Sequence, residues 1–518
     1  MIQLFSINRS EQIVNENIGI ARIQSYLRRN NIDAELTYLS MDKGVTQQSE
    51  IISQNVKYYG ISLFYWYNDF AFELCEYIKQ INPHAVIFMG GRVVTDAYRL
   101  IFEDCIFFDF AVLGHGESTL VYAIKELEQG KSVFDVSSSC KYLASRNDLE
   151  NKEELYEDIN ELCLPDRTYT KNKLTTASII TAHGCVGNCT FCSWNKSKAR
   201  WCGRNMQDVY EEIISIYENT GIRNFMFCDG SFEDPGRLGK QRIDELCALL
   251  EKYPVKFSFK YFLRAETFKD KQEDIELLYR MRRNGFVTAY VGIEAGNNED
   301  LIIFNKRARV EDNKNIIDIL KKVDIEILYG FIMLNPYSTI DSLRDNYHFL
   351  VNFRCQYLFN FVNTLEVYYN TEFYRCLKRD GLLKKEYRYD KPHLYRCQHK
   401  NVENIRNFIR KYFSRESAIM KKYDVFYDNI DYFNSIKALY NDIYNFYSPI
   451  LEECYISLCK LLKDYFYFLY EKNDILACIE MYSELCESLE VQYERVSVVR
   501  NRMMRELLRM RENNKLLV

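Results

Sequence analysis

Residues 181–198, "TAHGCVGNCTFCSWNKSK", carry Cys185, Cys189 and Cys192 in a C-x3-C-x2-C run. Thiols gathered at that spacing suit zinc or an iron–sulfur cluster. Structural zinc is closed by four ligands, commonly two C-x2-C pairs, and no second pair stands nearby. Three thiolates on a four-iron cluster leave one iron without a protein ligand. A metal centre keeps such an open position when a substrate must bind the metal itself. Cys202 is close enough in sequence to be weighed as a fourth ligand, which would close the site.

The run sits where "ASIITAHGC" reads as strand into loop. Downstream, "QDVYEEIISIYENTG" is a helix with Val209, Ile213 and Ile216 on one face and Gly221 beyond its end. "RNFMFCDG", "VKFSFKYFLRAE", "FVTAYVGIEAG", "IEILYGFIMLNP" and "YLFNFVNTLEVYY" follow as strands, with helical stretches between most of them. About six β/α units over 173–385 make a partial (β/α)6 TIM-like barrel, whose catalytic loops lie at the C-terminal ends of its strands. Upstream, residues 1–135 alternate strands ("IQLFSI", "AELTYL", "KYYGISLF", "AVIFMGG", "FDFAVLGHGE") with amphipathic helices such as "DFAFELCEYIKQINP". That alternation implies a doubly wound parallel sheet with ligands at the carboxyl ends of its strands. Residues 136–172 are polar and read as a connector with a short helix; 386–518 read as an all-α region. The fold class is α/β: an N-terminal doubly wound sheet, a central partial barrel and a helical C-terminal region.

Composition narrows the class of protein. A chain of 518 residues exceeds one ordinary core and implies two or three domains. A net charge of −5 gives no general pull toward nucleic acid or anionic membrane. No apolar run is long enough for a membrane span. The start, "MIQLFSINRSEQIVN", reads as a first strand, not a signal peptide. Seventeen cysteines without a signal imply a reducing, cytoplasmic setting with thiols kept as thiols.

"CVGNCTFC" after the first strand of a partial barrel resembles the radical S-adenosylmethionine (SAM) superfamily. The resemblance implies that Cys185, Cys189 and Cys192 hold a 4Fe-4S cluster whose open iron chelates SAM. One electron, from a donor such as flavodoxin or ferredoxin, then cleaves SAM to a 5′-deoxyadenosyl radical that abstracts hydrogen from substrate. It further implies SAM-site roles along the chain: Phe191 before the last cysteine, Asp229 and Glu233 in "FMFCDGSFED", Arg264 and Glu266 in "FLRAET". Glu294 in "VGIEAG" and Asn335 in "GFIMLNPYSTIDSL" complete that set. The likeness covers about residues 1–385 and not the helical tail.

"NIGIARIQSYLRRNNIDAELTYLS", "VIFMGGRVVT" and "VLGHGEST" resemble the cobalamin-binding domain that precedes the barrel in one large subgroup. Gly90, Gly91, Gly114 and Gly116 there permit close backbone approach to a ligand. There is no D-x-H-x-x-G, so no histidine is positioned to ligate cobalt from below. The aromatic loop at 64–67, "FYWY", either stacks on a corrin or fills its space.

Two reactions stay open. One is radical modification of a peptide or natural product, with Cα epimerisation of a ribosomal peptide favoured. The other is cobalamin-dependent C-methylation. Epimerisation needs a second hydrogen donor, for which Cys376, then Cys355 and Cys397, are candidates. A structural zinc or iron–sulfur assembly protein is the non-enzyme alternative.

Overall fold

The computed structural model describes residues 1–9, 16–148, 151–167, 174–194 and 201–512. The first sheet contains β1 (Ile2–Asn8), β2 (Ala34–Ser40), β3 (Tyr58–Ser62), β4 (Val86–Gly90), β5 (Phe110–Val112) and β6 (Leu143–Ala144), in the order β2-β1-β3-β4-β5-β6. The first five are parallel; β6 joins antiparallel from a stretch that the sequence presents as irregular connector. The strands are almost wholly apolar because helices cover both faces. Ile18–Arg29 and Glu117–Glu128 pack on one side with Leu4, Phe88 and Val112; Asn68–Ile81 and Arg92–Asp104 pack on the other with Phe5, Ile87 and Met89.

The barrel begins with β7 (Thr176–Ile179). A two-residue ladder of β8 (Ala182–His183) with β9 (Cys202–Gly203) braces the loop after it. Then come β10 (Asn224–Phe227), β11 (Ser258–Arg264), β12 (Phe286–Glu294) and β13 (Glu326–Phe331). With β7 they form an all-parallel sheet in the order β13-β12-β11-β10-β7. Alternation along β11 and β12 turns Phe259, Tyr261, Ala289 and Val291 into the helix-covered core. It turns Lys260, Phe262, Arg264, Tyr290 and Glu294 toward the lumen. The helix Met206–Thr220 ends at Gly221 in the left-handed conformation, φ +74°, as its sequence foretells.

The sixth barrel strand is a correction. Leu358–Val362 is helical, and only a bridge between Leu334 and Thr364 marks a sixth position. Side chains explain it: the Asn360 amide donates to the Tyr329 carbonyl (2.9 Å) and the Asn363 amide to that of Phe331 (2.6 Å). Two side-chain donors thus replace the backbone N–H groups that a paired strand would offer to the β13 edge.

Beyond the barrel, Lys400–Tyr412, Ala418–Leu439, Asn441–Phe466 and Ile475–Glu512 form the helical region, continuous with the barrel core. Among the described residues no helix is long and apolar enough to cross a membrane. A buried charge chain ties the parts together. Arg167 of the connector contacts Glu16 (3.0 Å) and Glu212 (3.2 Å), and Glu212 also meets Arg204 (2.6 Å).

Candidate active site

The three cysteines lie on the loop after β8, at the C-terminal mouth of the barrel. Its backbone is fixed from several sides. Val186 N–H donates to Asp234 (2.9 Å), Thr190 N–H to the Phe304 carbonyl (3.0 Å), and Phe373 N–H to the Thr190 carbonyl (2.9 Å). At Gly187 an added Cβ would fall 3.3 Å from Cys185 Sγ and 4.0 Å from Cys189 Sγ, so a side chain there would crowd the first sulfur. Burial pushes the Cys185 thiol up to about 12 and that of Cys189 to about 11; a metal must displace both protons to bind. Among the described residues no three His, Cys, Asp or Glu side chains converge as a single ion requires. The donor set, three thiols spread along one loop, fits a multi-iron cluster better than mononuclear zinc. Cys202 points its thiol at Asp158 (3.6 Å), away from the loop.

A polar ring surrounds the loop. Arg264 bonds Glu266 (2.9 Å) and pairs with Asp234 (2.7 Å). Glu266 Oε2 is buried without a hydrogen-bond partner, an acceptor that fits a cationic group such as the amino group of SAM. Glu294 sits at φ +63°, where the β12–β13 register shifts, and its carboxylate lies 3.5 Å from Lys306. Burial raises the Glu294 carboxyl, and Lys306 opposes that rise. Phe191 packs edge-on against Phe304 at 5.3 Å.

Three of the expected SAM contacts are turned into the scaffold. Asp229 is buried and accepts from the amides of Thr181 (2.6 Å) and Ala182 (3.0 Å), pinning the approach to the cysteine loop. Burial lifts its carboxyl to about 6. Glu233 accepts from Ser231, the Arg264 amide and Thr267. The Asn335 side chain donates to Asp300 (2.6 Å) and accepts from the Tyr337 amide, within a buried network with Asn297 and Asn346. Asp234 and Lys306 were not legible as site residues, since neither belongs to a recognisable local pattern.

The three candidate hydrogen-donor cysteines lie in different surroundings. Cys355 is sealed in the core with its thiol toward Asn360 (3.4 Å), and burial raises it well above its ordinary value. Cys397 is buried beside Glu403 and Arg406, with its thiol pushed up to about 12. Cys376 lies on the surface helix Glu372–Arg379. None of the three lines the cavity beside Cys189 and Cys192 or the one beside Tyr290.

In the first domain, Gly90, Gly91, Gly114 and Gly116 line one cavity of about 180 Å³, together with Gly60, His115 and His183. Its floor is apolar: Leu4, Ile20, Phe88, Val112 and Leu120. Two of the glycines answer to the protein itself. An added Cβ would meet the Leu63 carbonyl at 2.7 Å from Gly91 and the Leu155 carbonyl at 2.2 Å from Gly114, both at positive φ. The His115 and His183 rings lie 4.7 Å apart. Burial holds both neutral, at about 4 and about 3, and His183 Nε2 is buried without a partner. An apolar, glycine-walled slot with an unsatisfied ring nitrogen fits the nucleotide tail of cobalamin. The aromatic loop does not fill the sheet edge. Tyr65 turns to Asp96 and Tyr368, while Phe64 and Trp66 remain 48% and 42% exposed.

A parallel six-position barrel with a C-x3-C-x2-C loop at its mouth defines a class, and the sequence profile of the Radical SAM superfamily matches residues 179–350. Residues 179–350 are thus a Radical SAM domain. Its first domain is a B12 binding domain, by the profile that matches residues 12–124. An uncharacterized methyltransferase of Pyrococcus horikoshii is 24% identical over 53% of this chain and 59% of its own length. The anaerobic magnesium-protoporphyrin IX monomethyl ester cyclase of Cereibacter sphaeroides is 24% identical over 64% and 54%. The chain thus spans a little over half the length of these curated relatives. The cobalamin-dependent radical enzyme OxsB, solved with aqua-cobalamin and S-adenosylmethionine, shares the fold at TM-score 0.69 and 16% identity, over 100% of this chain and 81% of OxsB.

Proposed function

We propose that the chain is a cobalamin-dependent radical SAM enzyme that methylates an unactivated carbon of a small molecule. One observation carries this reading: the glycine-walled cavity reaches His115, whose ring meets that of His183, two residues before the first cluster cysteine. A corrin-cofactor slot and a cluster loop that share a wall suit a reaction in which both cofactors serve one substrate. The methyltransferase among the relatives and the aqua-cobalamin bound by OxsB support cobalamin chemistry over Cα epimerisation, whose thiol donor the geometry does not provide.

When bound, the cluster and SAM supply a radical and a methyl group, and cobalamin supplies a carrier for that methyl group. The chain's own residues do the rest. Cys185, Cys189 and Cys192 would hold the cluster and leave one position for SAM. Glu266 would accept from its amino group, and Lys306 favours the ionised form of Glu294 beside it. Gly90 and Gly116 keep the slot open, and the two neutral imidazoles bring no charge into it. Phe64 and Trp66 would cover the corrin. The electron would come from a flavodoxin- or ferredoxin-class donor.

The test is anaerobic reconstitution with iron, sulfide and hydroxocobalamin, then desalting and a visible spectrum. A retained corrin and a four-iron cluster are expected, with S-adenosylhomocysteine and 5′-deoxyadenosine both formed from SAM under reducing conditions. Loss of the corrin would end the reading. 5′-Deoxyadenosine without S-adenosylhomocysteine would replace methylation by a ring-forming radical reaction, as the name of the cyclase relative suggests.

A further inference from the structure

The tail helix Ala418–Leu439 does not stand apart from the barrel; it forms part of its wall. Lys260 on β11 reaches Asp431 of this helix (2.8 and 3.0 Å) and lies 5.2 Å from the Tyr427 ring. Between the helix and the inward sides of β12 and β13 is a cavity of about 300 Å³, the small end of the range that holds small-molecule ligands. Tyr290, Tyr329, Tyr423 and Tyr427 line it. Among the described residues no hydrogen bond satisfies the hydroxyls of Tyr290, Tyr423 or Tyr427, although Tyr423 is only 5% exposed. Hydroxyls of residues that line a cavity and have no protein partner are able to bond what enters it.

The cavity also has a charged end. Arg9 lies 3.6 Å from Asp424 and Arg415 lies 3.7 Å from Glu366, both beyond hydrogen-bonding length. Neither guanidinium makes a hydrogen bond among the described residues. Arg415 also covers the Trp66 ring at 5.2 Å, on the exposed aromatic loop. A guanidinium fork with free donors matches a carboxylate or a phosphate. Tyr290 is four residues before Glu294 on the same strand and the same side, so the cavity lies about 13 Å along the strand from the cofactor end, at roughly 3.3 Å per residue.

We infer that this cavity is the substrate site. It takes a planar compound of one or two rings that carries one anionic group, gripped by tyrosine hydroxyls along the ring edge and by Arg9 and Arg415 at the anion. The inference rests on the proposed function in one respect only, that the substrate is a small molecule.

Calorimetric titration of the cofactor-loaded chain with two matched pairs tests it. The pairs are adenosine monophosphate against adenosine, for a phosphate, and indole acetate against tryptophol, for a carboxylate. In one pair the anionic member should bind at least ~10-fold more tightly, the size of a charge-assisted contact. The double variant Arg9→Gln, Arg415→Gln should remove that preference. Tyr423→Phe, which deletes one hydroxyl and should melt like the wild type, should weaken both members. No heat from any of the four, a preference that survives the arginine variants, or unchanged affinity in Tyr423→Phe would each overturn the site. No turnover enters these readings. A chain that forms S-adenosylhomocysteine but binds none of the probes defeats this inference alone, and one that binds them but retains no corrin defeats only the proposed function.

Discussion

The rings of Tyr65 and Tyr368 lie 4.6 Å apart, one from the aromatic loop of the B12 binding domain and the other from the segment after the last barrel position. Tyr65 also bonds Asp96, and Tyr368 bonds Glu366, so each ring is held by its own domain before it meets the other. A double-mutant cycle of Tyr65→Ala and Tyr368→Ala, read by urea denaturation, should give a coupling of about 0.5–1.5 kcal/mol. Additive losses would mean that the two rings are neighbours without mutual stabilisation.

The cluster assignment predicts a sharp contrast among cysteines. Alanine at Cys185, Cys189 or Cys192 should abolish retained iron and sulfide after reconstitution. Alanine at Cys202, whose thiol faces Asp158, should leave both unchanged. Iron loss in the Cys202 variant would make the site a closed one.

Asp229 gives a pH signature. Its carboxyl is raised from 3.8 to about 6 by burial, so the folded chain holds a proton there that the unfolded chain has lost. Stability therefore falls as pH rises from about 4 to about 6, by roughly 3 kcal/mol from this one group, and is level above that. The difference in urea midpoint between the wild type and Asp229→Asn should change across this window and nowhere else between pH 4 and 8.

Arg167 balances two buried carboxylates, Glu16 and Glu212, which belong to different domains. Removing it leaves Glu16 buried without a cation and Glu212 with Arg204 alone. Arg167→Met should cost about 3–5 kcal/mol in denaturant unfolding, the range for breaking a buried pair from one side. A loss below about 1 kcal/mol would place this pair in the surface class.

Alanine at Cys355, Cys376 or Cys397 should leave SAM cleavage and product formation intact, because Cys355 and Cys397 are buried and none of the three lines the cavity beside Cys189 and Cys192. Cleavage without product in any one variant would restore a thiol donor.

Local pattern carried much of this molecule. Six β/α positions follow from apolar runs and helical periodicity, and the cluster loop follows from three cysteines at close spacing, because both are statements about residues near each other in the chain. Where the segment's own side chains took over a backbone role, the reading failed: Asn360 and Asn363 cap the β13 edge and leave only a remnant of the sixth strand. Asp229, Glu233 and Asn335 were legible as polar residues at strand ends, but their partners come from other segments, and those partners draw them into the scaffold.

What the sequence by itself determined is the order of the domains, the parallel sheets and the three-cysteine loop at the barrel mouth. What only the tertiary structure decided is which groups remain unpaired once the chain has folded. Glu266 Oε2 and His183 Nε2 stand free because residues distant in sequence enclose them without bonding them. Burial and hydrogen-bond saturation are properties of that enclosure, and no spacing along the chain encodes them.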